Sequence, residues 1–393
     1  MANPEPLNFR KYGVPFYAVD WVPYKSIRFD QAGKSGPESD QSLPQDEAAA
    51  NRNYVVLAGG GGEGNSGIPN AVVVSEFDFA SYSLSDQPVL RHRTDSDLPY
   101  RMAVHPGGEG LVCAFPESCR LFKWNGENGS EGHRLGLQPS ERVLTALEDV
   151  GQQLALAFNN DGSLLASGGE DGNLRVIKWP SLETILNEAK VHSRVKDLQF
   201  SPDGKLLISL GDVSCKVWDV ISSTSVASLP IQKDEQFCAC RFSQVGDRNL
   251  VLYTATLTDK GGSIGTWDAT TWKRIGSKHI TRDAITGFDA SADGKLLACG
   301  TTSGDVLIVN STSIRIQQVI KKAHLGFVTA MRFSSDASAL ASASLDSSVR
   351  VTMIEEKKNG GFNLWLIILI ILIAIATYVW QNPEKFASFA TSK

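Results

Sequence analysis

The residues with the most distinctive spacing lie in 54–77, YVVLAGGGGEGNSGIPNAVVVSEF. Gly62, Gly64 and Gly67 spell a GxGxxG directly after an apolar run, the pattern with which a strand–turn–helix unit holds a dinucleotide pyrophosphate. That chemistry needs a helix N-terminus whose amides face the phosphate, whereas here Pro69 is followed by AVVVSEF, a β-branched strand. The unit reads instead as a hairpin. Its connection of about twelve residues, half of them glycine, far exceeds the two to five that a hairpin needs. The successive glycines Gly59, Gly60, Gly61 and Gly62 let the backbone turn carbonyls inward, which suits an alkali cation held by carbonyl oxygens. A floppy excursion is the competing reading, but Pro69 fixes its own φ and biases Ile68 toward an extended shape. Ile68-Pro69-Asn70 is therefore stiff, and is expected to present Ile68 and Asn70 outward.

No other chemistry-bearing set stands out. Gly33-Lys34-Ser35 resembles the end of a phosphate-binding loop, but Arg28 occupies the position where that motif requires its first glycine. The six cysteines, Cys113, Cys119, Cys215, Cys238, Cys240 and Cys299, form no CxxC and read as small core hydrophobes in a reducing compartment. Cys238 and Cys240 share a strand face, without the two further ligands zinc would need. The six histidines are dispersed, and no Ser-His-Asp set or acid/base pair appears, so neither covalent catalysis nor a small-molecule substrate is expected. Lys plus Arg is 38 against 43 Asp plus Glu, a net charge of -5, which lacks the basic footprint that nucleic acid requires.

The elements that must position the glycine loop repeat along the chain. The segments AVHPGGEGLVCA, LAFNNDGSLLASG, LQFSPDGKLLISL, CRFSQVGDRNLVLY, FDASADGKLLACG and MRFSSDASALASA align on Val104, Phe158, Phe200, Phe242, Ala290 and Phe333, spaced by 54, 42, 42, 48 and 43. A period near 40–45 with several strands per unit is that of a β-propeller blade, which cannot bury both faces alone and must stack around an axis. Trp218-Asp219 and Trp267-Asp268 carry the Trp-Asp dipeptide that marks WD repeats. Six units are visible, and the strand-like runs between Tyr12 and Leu90 make a seventh blade. The expected fold is all-β, a seven-bladed WD-repeat propeller over 1–354. Asp161, Asp203 and Asp293, each followed by glycine, mark hairpins, and Asp171, Asp305 and Asp346 read as turn carboxylates. The polar insert 30–51 is expected to be a mobile loop.

Beyond a 355–363 linker, residues 364–380 (LWLIILIILIAIATYVW) contain no charge. Their 17 positions reach about 25 Å, near the thickness of the thin endoplasmic-reticulum bilayer, with Trp365, Tyr378 and Trp380 as interfacial anchors. A single transmembrane helix is expected. The N-terminus has no signal-peptide h-region, and Arg350, Lys357 and Lys358 precede the span, so the propeller faces the cytosol and 381–393 form a short luminal tail.

Taken together, the YGVPFY strand, the complete GGGGEGNSGIPN from Gly59 to Asn70, the WD repeats and the C-terminal span resemble the ER-membrane guanine-nucleotide exchange factors of the Sar-type GTPase of the COPII coat, in their plant form. The resemblance covers nearly the whole chain. It implies that the loop binds potassium, with the carbonyls of Gly59, Gly60, Gly61, Gly62, Gly64 and Gly67 around it and no individual ligand singled out. It also implies that the loop is applied to the GTPase, with Asn70 required for exchange; Asn70 is assigned a polar contact that competes with nucleotide-site interactions, Ile68 an apolar contact, and Pro69 with the glycines a role in holding the shape. Plant relatives that act as cargo-specific traffic facilitators lack this loop, so its presence points to exchange at the ER surface. The alternatives are a membrane-anchored scaffold or cargo-specific ER-exit accessory protein without exchange activity, and a propeller enzyme whose channel would need a convergent polar set not visible in the repeats.

Overall fold

The alternation of short apolar runs with Asp-Gly and Gly-rich turns folds into seven antiparallel sheets in a computed structural model that describes residues 6–28, 52–64, 66–129, 132–244, 246, 249–355 and 364–381. The first blade contains β2 (Phe16–Trp21), β3 (Asn53–Gly59) and β4 (Ala71–Asp78), with β5 (Ser83–Leu84) and β6 (Leu90–Arg93) both pairing with β4. Six further sheets follow, and the inner strands Phe16–Trp21, Arg101–Val104, Gln153–Phe158, Asp197–Phe200, Gln236–Ser243, Ile285–Ala290 and Val328–Phe333 succeed one another around a closed ring. The aligned residues of the repeat all sit at or next to the end of these inner strands. The fold is a seven-bladed all-β WD propeller, as the period implies.

Closure uses a strand too short to read from the sequence. β1 (Phe9–Lys11) pairs with Ser348–Met353, so the N-terminus supplies the outer strand of the last blade. Asn8 Nδ2 donates to the Val351 carbonyl at 2.8 Å and Arg350 covers the Phe9 ring, 5.1 Å from its centroid.

The second strand of each blade is buried on both faces, as in Gly110–Ala114, Leu296–Thr301 and Ala339–Ser344, whereas outer strands such as Arg274–Thr281 and Arg315–Ile320 are largely exposed. Among the described residues seven apolar clusters form, one at each junction between neighbouring blades. In β4, Val72 and Val74 pack toward the second blade while Ala71 and Val73 pack toward the last one. The Trp-Asp strands are tied in by polar links: Trp218 Nε1 donates to Ser209 Oγ at 3.0 Å, and Ser209 in turn meets His192 Nε2 at 2.9 Å. Burial pushes the pKa of His192 down to about 4, and that of His324, held between Ser348 and Ser342, likewise to about 4. The turn carboxylates behave as expected: Asp171 accepts from the Asn173 amide, Asp346 from the Ser348 and Leu325 amides, and Asp305 from the Lys322 amide. Five of the six cysteines are buried and Cys238 is half-buried, all as free thiols.

Residues 355–393 form a separate unit. Its one described element is helix α1 (Leu364–Gln381), of 18 residues, in which every side chain described from Ile368 to Tyr378 is exposed. The side chains of 364–367 and 379 lie outside the described residues, and among those described no helix is long and apolar enough to cross a membrane. The insert 30–51, linker residues 356–363 and tail residues 382–393 also lie outside the described residues.

Candidate functional site

The glycine loop is the connection of a true hairpin. β3 and β4 pair from Asn53↔Phe77 to Gly59↔Ala71, so residues 60–70 close it and no helix follows. Gly60 N donates to the Pro15 carbonyl at 3.0 Å, which anchors the loop to the start of β2. The need for glycine here is steric. A Cβ on Gly60 would fall on the Asn70 side chain, and one on Gly61 would strike Ser66 Oγ and Ile68 Cβ. Gly64, by contrast, has nothing near the position its Cβ would take.

Asn70 does not project outward, contrary to the sequence-based expectation. It is 1% exposed, and its amide is folded back under the loop. Oδ1 accepts from Gly62 N at 3.0 Å, while Nδ2 lies 3.2 Å from the Gly62 oxygen, 3.1 Å from the Asp95 oxygen and 3.0 Å from the Ser96 oxygen. The physical reason is the turn 94–97, which runs beside the loop and offers carbonyls that a buried amide must use. Thr94 N donates to the Asn70 oxygen at 3.0 Å, so side chain and backbone of Asn70 both hold this turn. Ile68 remains presented, at 39% exposure, just before the rigid Pro69.

The six glycines do not form one ring of free carbonyls. Gly59 belongs to the β3 ladder and the Gly64 oxygen accepts from Ser66 N at 2.6 Å. The carbonyls that converge are those of Gly62, Asp95 and Ser96 around the Asn70 amide nitrogen, and two of these come from outside the glycine loop. Sequence reasoning missed Asp95 and Ser96 because backbone carbonyl acceptors carry no residue-type signature.

The chain is 50% identical to SEC12-like protein 2 of Arabidopsis thaliana over 362 residues, 92% of each chain. The chain belongs to the SEC12-like family. Within that family it is 30% identical to SEC12-like protein 1 of Arabidopsis thaliana over 85% of each chain, and 26% identical to the guanine nucleotide-exchange factor SEC12 of Rattus norvegicus over 85% of this chain and 93% of that one. The family model described as WD domain, G-beta repeat matches residues 149–178, 183–219 and 316–352.

The central channel does hold a convergent polar set, which the repeat reading had not revealed. Asp197, Arg241, Asp289, Arg332 and Asp20, from five successive blades, form an alternating chain: Arg241 meets Asp197 at 2.6 Å and Asp289 at 3.4 Å, and Arg332 meets Asp289 at 3.4 Å and Asp20 at 3.3 Å. Burial raises the Asp20 pKa against the opposing pull of Arg332. Burial also works against the Arg241 charge, but Asp197 and Asp289 outweigh it and raise its pKa. The signal that would have found four of these residues is the position two or fewer before the end of each inner strand, where acid and base alternate. The carboxylates of this chain are engaged by guanidinium groups or backbone amides, such as Phe333 N on Asp289 at 2.9 Å, so the set ties blades together and offers no activated nucleophile.

Proposed function

We propose that this chain acts as a guanine-nucleotide exchange factor through its glycine loop, at the ER membrane, on the Sar-type GTPase that starts COPII vesicle formation. The exchange activity follows from the family, whose mammalian members carry that name. Exchange needs no covalent chemistry. It needs a surface that binds the nucleotide-free GTPase better than the loaded one, so that GDP leaves and GTP enters. The observation that carries the reading is a long hairpin loop held rigid from within by a buried Asn70 while Ile68 stays exposed at its outer side. Ile68 and Pro69 make the contact with the GTPase, and Asn70 is the positioning residue that keeps them in place.

Potassium fits the carbonyl chemistry of this site. Hard monovalent cations take oxygen ligands that replace their hydration shell, which backbone oxygens of a glycine loop can supply; the Gly62, Asp95 and Ser96 oxygens themselves accept from Asn70 Nδ2. When bound, the ion would stiffen the loop.

The membrane reading, with the propeller in the cytosol and the C-terminus luminal, rests on the uncharged sequence 364–380 and the basic residues before it, and this sequence lies within helix α1. Its 18 residues extend about 27 Å, the exposed run Ile368 to Ile373 is apolar on every side, and Thr377 Oγ1 donates back to the Ile373 carbonyl at 2.9 Å, so its hydroxyl needs no water. The test is release of fluorescent GDP from a Sar-type GTPase by the full chain in detergent, in potassium and then sodium buffer, with Asn70→Ala alongside. Fast release in potassium that is lost in Asn70→Ala is expected. No acceleration with any Sar-type GTPase would favour the scaffold instead.

A further inference from the structure

Equivalent positions in the repeats carry similar residues, and the last blade departs from this at the end of the propeller that bears the glycine loop. Val195 and Val328 are equivalent: each is fully buried, and each is what a Cβ on the facing glycine, Gly168 or Gly300, would strike. His192 and His324 are equivalent too, with N donating to the Gly172 oxygen at 3.4 Å and to the Gly304 oxygen at 3.0 Å. Between His and Val the fourth blade has Ser193-Arg194, both exposed, whereas the last blade has Leu325-Gly326-Phe327. The turn after the second strand repeats the contrast, since the third blade opens it with exposed Glu170 and the last blade with Leu345. Leu325, Phe327 and Leu345 are 75%, 51% and 38% exposed.

These three side chains stand on one fixed frame. Leu345 N donates to the Phe327 oxygen at 3.3 Å and Leu325 N to Asp346 Oδ2 at 2.7 Å, while the same carboxylate accepts from Ser348 N at 3.0 Å. The frame reaches the glycine loop through residues 12–16. Tyr12 N donates to the Ser347 oxygen at 3.0 Å, Thr329 Oγ1 to the Phe16 oxygen at 2.6 Å, and Gly60 N to the Pro15 oxygen at 3.0 Å. The stretch from Tyr12 to Pro15 spans at most about 14 Å, so the patch and the loop fall inside the area of about 800 Å² that one partner covers in an interface of standard size.

Apolar side chains exposed where other blades carry Ser, Arg and Glu add nothing to the core, and such a patch marks a surface that a partner covers. The loop 60–70 supplies about half of the 20–30 residues that an interface of standard size takes from each side. We propose that Leu325, Phe327 and Leu345 form a second contact with the same GTPase, docking an apolar surface of it beside the glycine loop. This rests on the exchange reading and extends it to the last blade. The patch binds the GTPase in every nucleotide state, so it sets how much factor is needed, whereas the loop sets how fast GDP leaves.

The test follows release of fluorescent GDP from a Sar-type GTPase at increasing concentrations of the full chain in detergent. Leu325→Ser and Leu345→Glu install residues that other blades carry at these places, so both variants should melt as the wild type does. Phe327→Ser should raise the half-saturating concentration about tenfold and each leucine variant about threefold, with the maximal rate kept. Asn70→Ala should instead lower the maximal rate. If Phe327→Ser fails to fold, the two leucine variants decide. Half-saturation equal to wild type in the folded variants would overturn the proposal and leave the loop reading intact. A wild type that accelerates release from no Sar-type GTPase would refute the exchange reading, and this proposal with it. Light scattering covers the other occupant: the wild type should be one chain per micelle, and a dimer that Phe327→Ser splits would assign the patch to a second copy and overturn the proposal.

Discussion

If the glycines are required by packing against Asn70, substitutions within the GGGG run and beyond it must differ sharply. A Cβ on Gly60 would land on the Asn70 side chain, whereas Gly64 has open space at the same position. Gly60→Ala therefore has to expel Asn70 from its pocket, with loss of the bond accepted from Gly62 N and of two of the bonds that Nδ2 can donate at once. At about 1 kcal/mol net for each, the ordered loop loses about 3 kcal/mol, or about 100-fold in population. If that ordered loop is the form that engages the GTPase, kcat/KM for GDP release falls by about 100-fold. The melting temperature should move little, since the loop lies outside the seven inter-blade clusters. Gly64→Ala should stay within about twofold of wild type, as surface substitutions usually do. Stopped-flow release of fluorescent GDP measures both. Equal losses in the two variants would mean that backbone flexibility, and not the Asn70 packing, is what the glycines provide.

Ile68→Asp should lower kcat/KM by about tenfold or more with an unchanged melting curve, because Ile68 is 39% exposed and supports no core; a drop in melting temperature of matching size would assign it to packing instead. His192 and His324 have folded pKa values depressed to about 4, so their contribution to stability is complete above the unfolded value of about 6.5 and is lost as pH falls from there toward 4. Each should remove about 2 kcal/mol between pH 7 and pH 5, read from denaturant melts, and His192→Gln should flatten the slope. Ile370→Arg combined with Ile373→Arg puts two charges into the middle of α1 at about 3 kcal/mol each, so the protein should shift from the membrane pellet to the supernatant in alkaline extraction; an unchanged pellet would argue against a spanning helix.

The propeller was legible because its period survives in the inner strands, where Val104, Phe158, Phe200, Phe242, Ala290 and Phe333 mark the same strand end in six blades. The seventh blade was legible from the two-sided apolar runs of β3 and β4. β1 was not, since three residues, Phe9–Lys11, carry no periodicity and gain their strand character only by pairing with the last blade. The glycine loop was recognisable as a hairpin connection because Pro69 and the β-branched run after it exclude a helix. The direction of Asn70 was not recognisable, because it depends on a turn 25 residues further along the chain whose contribution is backbone oxygen. The ion-pair chain of the channel escaped for a related reason: Asp197, Arg241, Asp289, Arg332 and Asp20 become neighbours only when the blades close into a ring.

The claim at the centre is that residues 60–70 drive exchange while the propeller serves as their mount. Because β3 and β4 are in hairpin register up to Gly59↔Ala71, an Asn-Gly turn can replace 60–70 and keep that pairing, with loss of the Asn70 bonds to the 94–97 turn. GDP release from a Sar-type GTPase should then fall to the spontaneous rate while the protein still melts cooperatively as a folded propeller. Release that stays fast with the short turn in place would contradict the account.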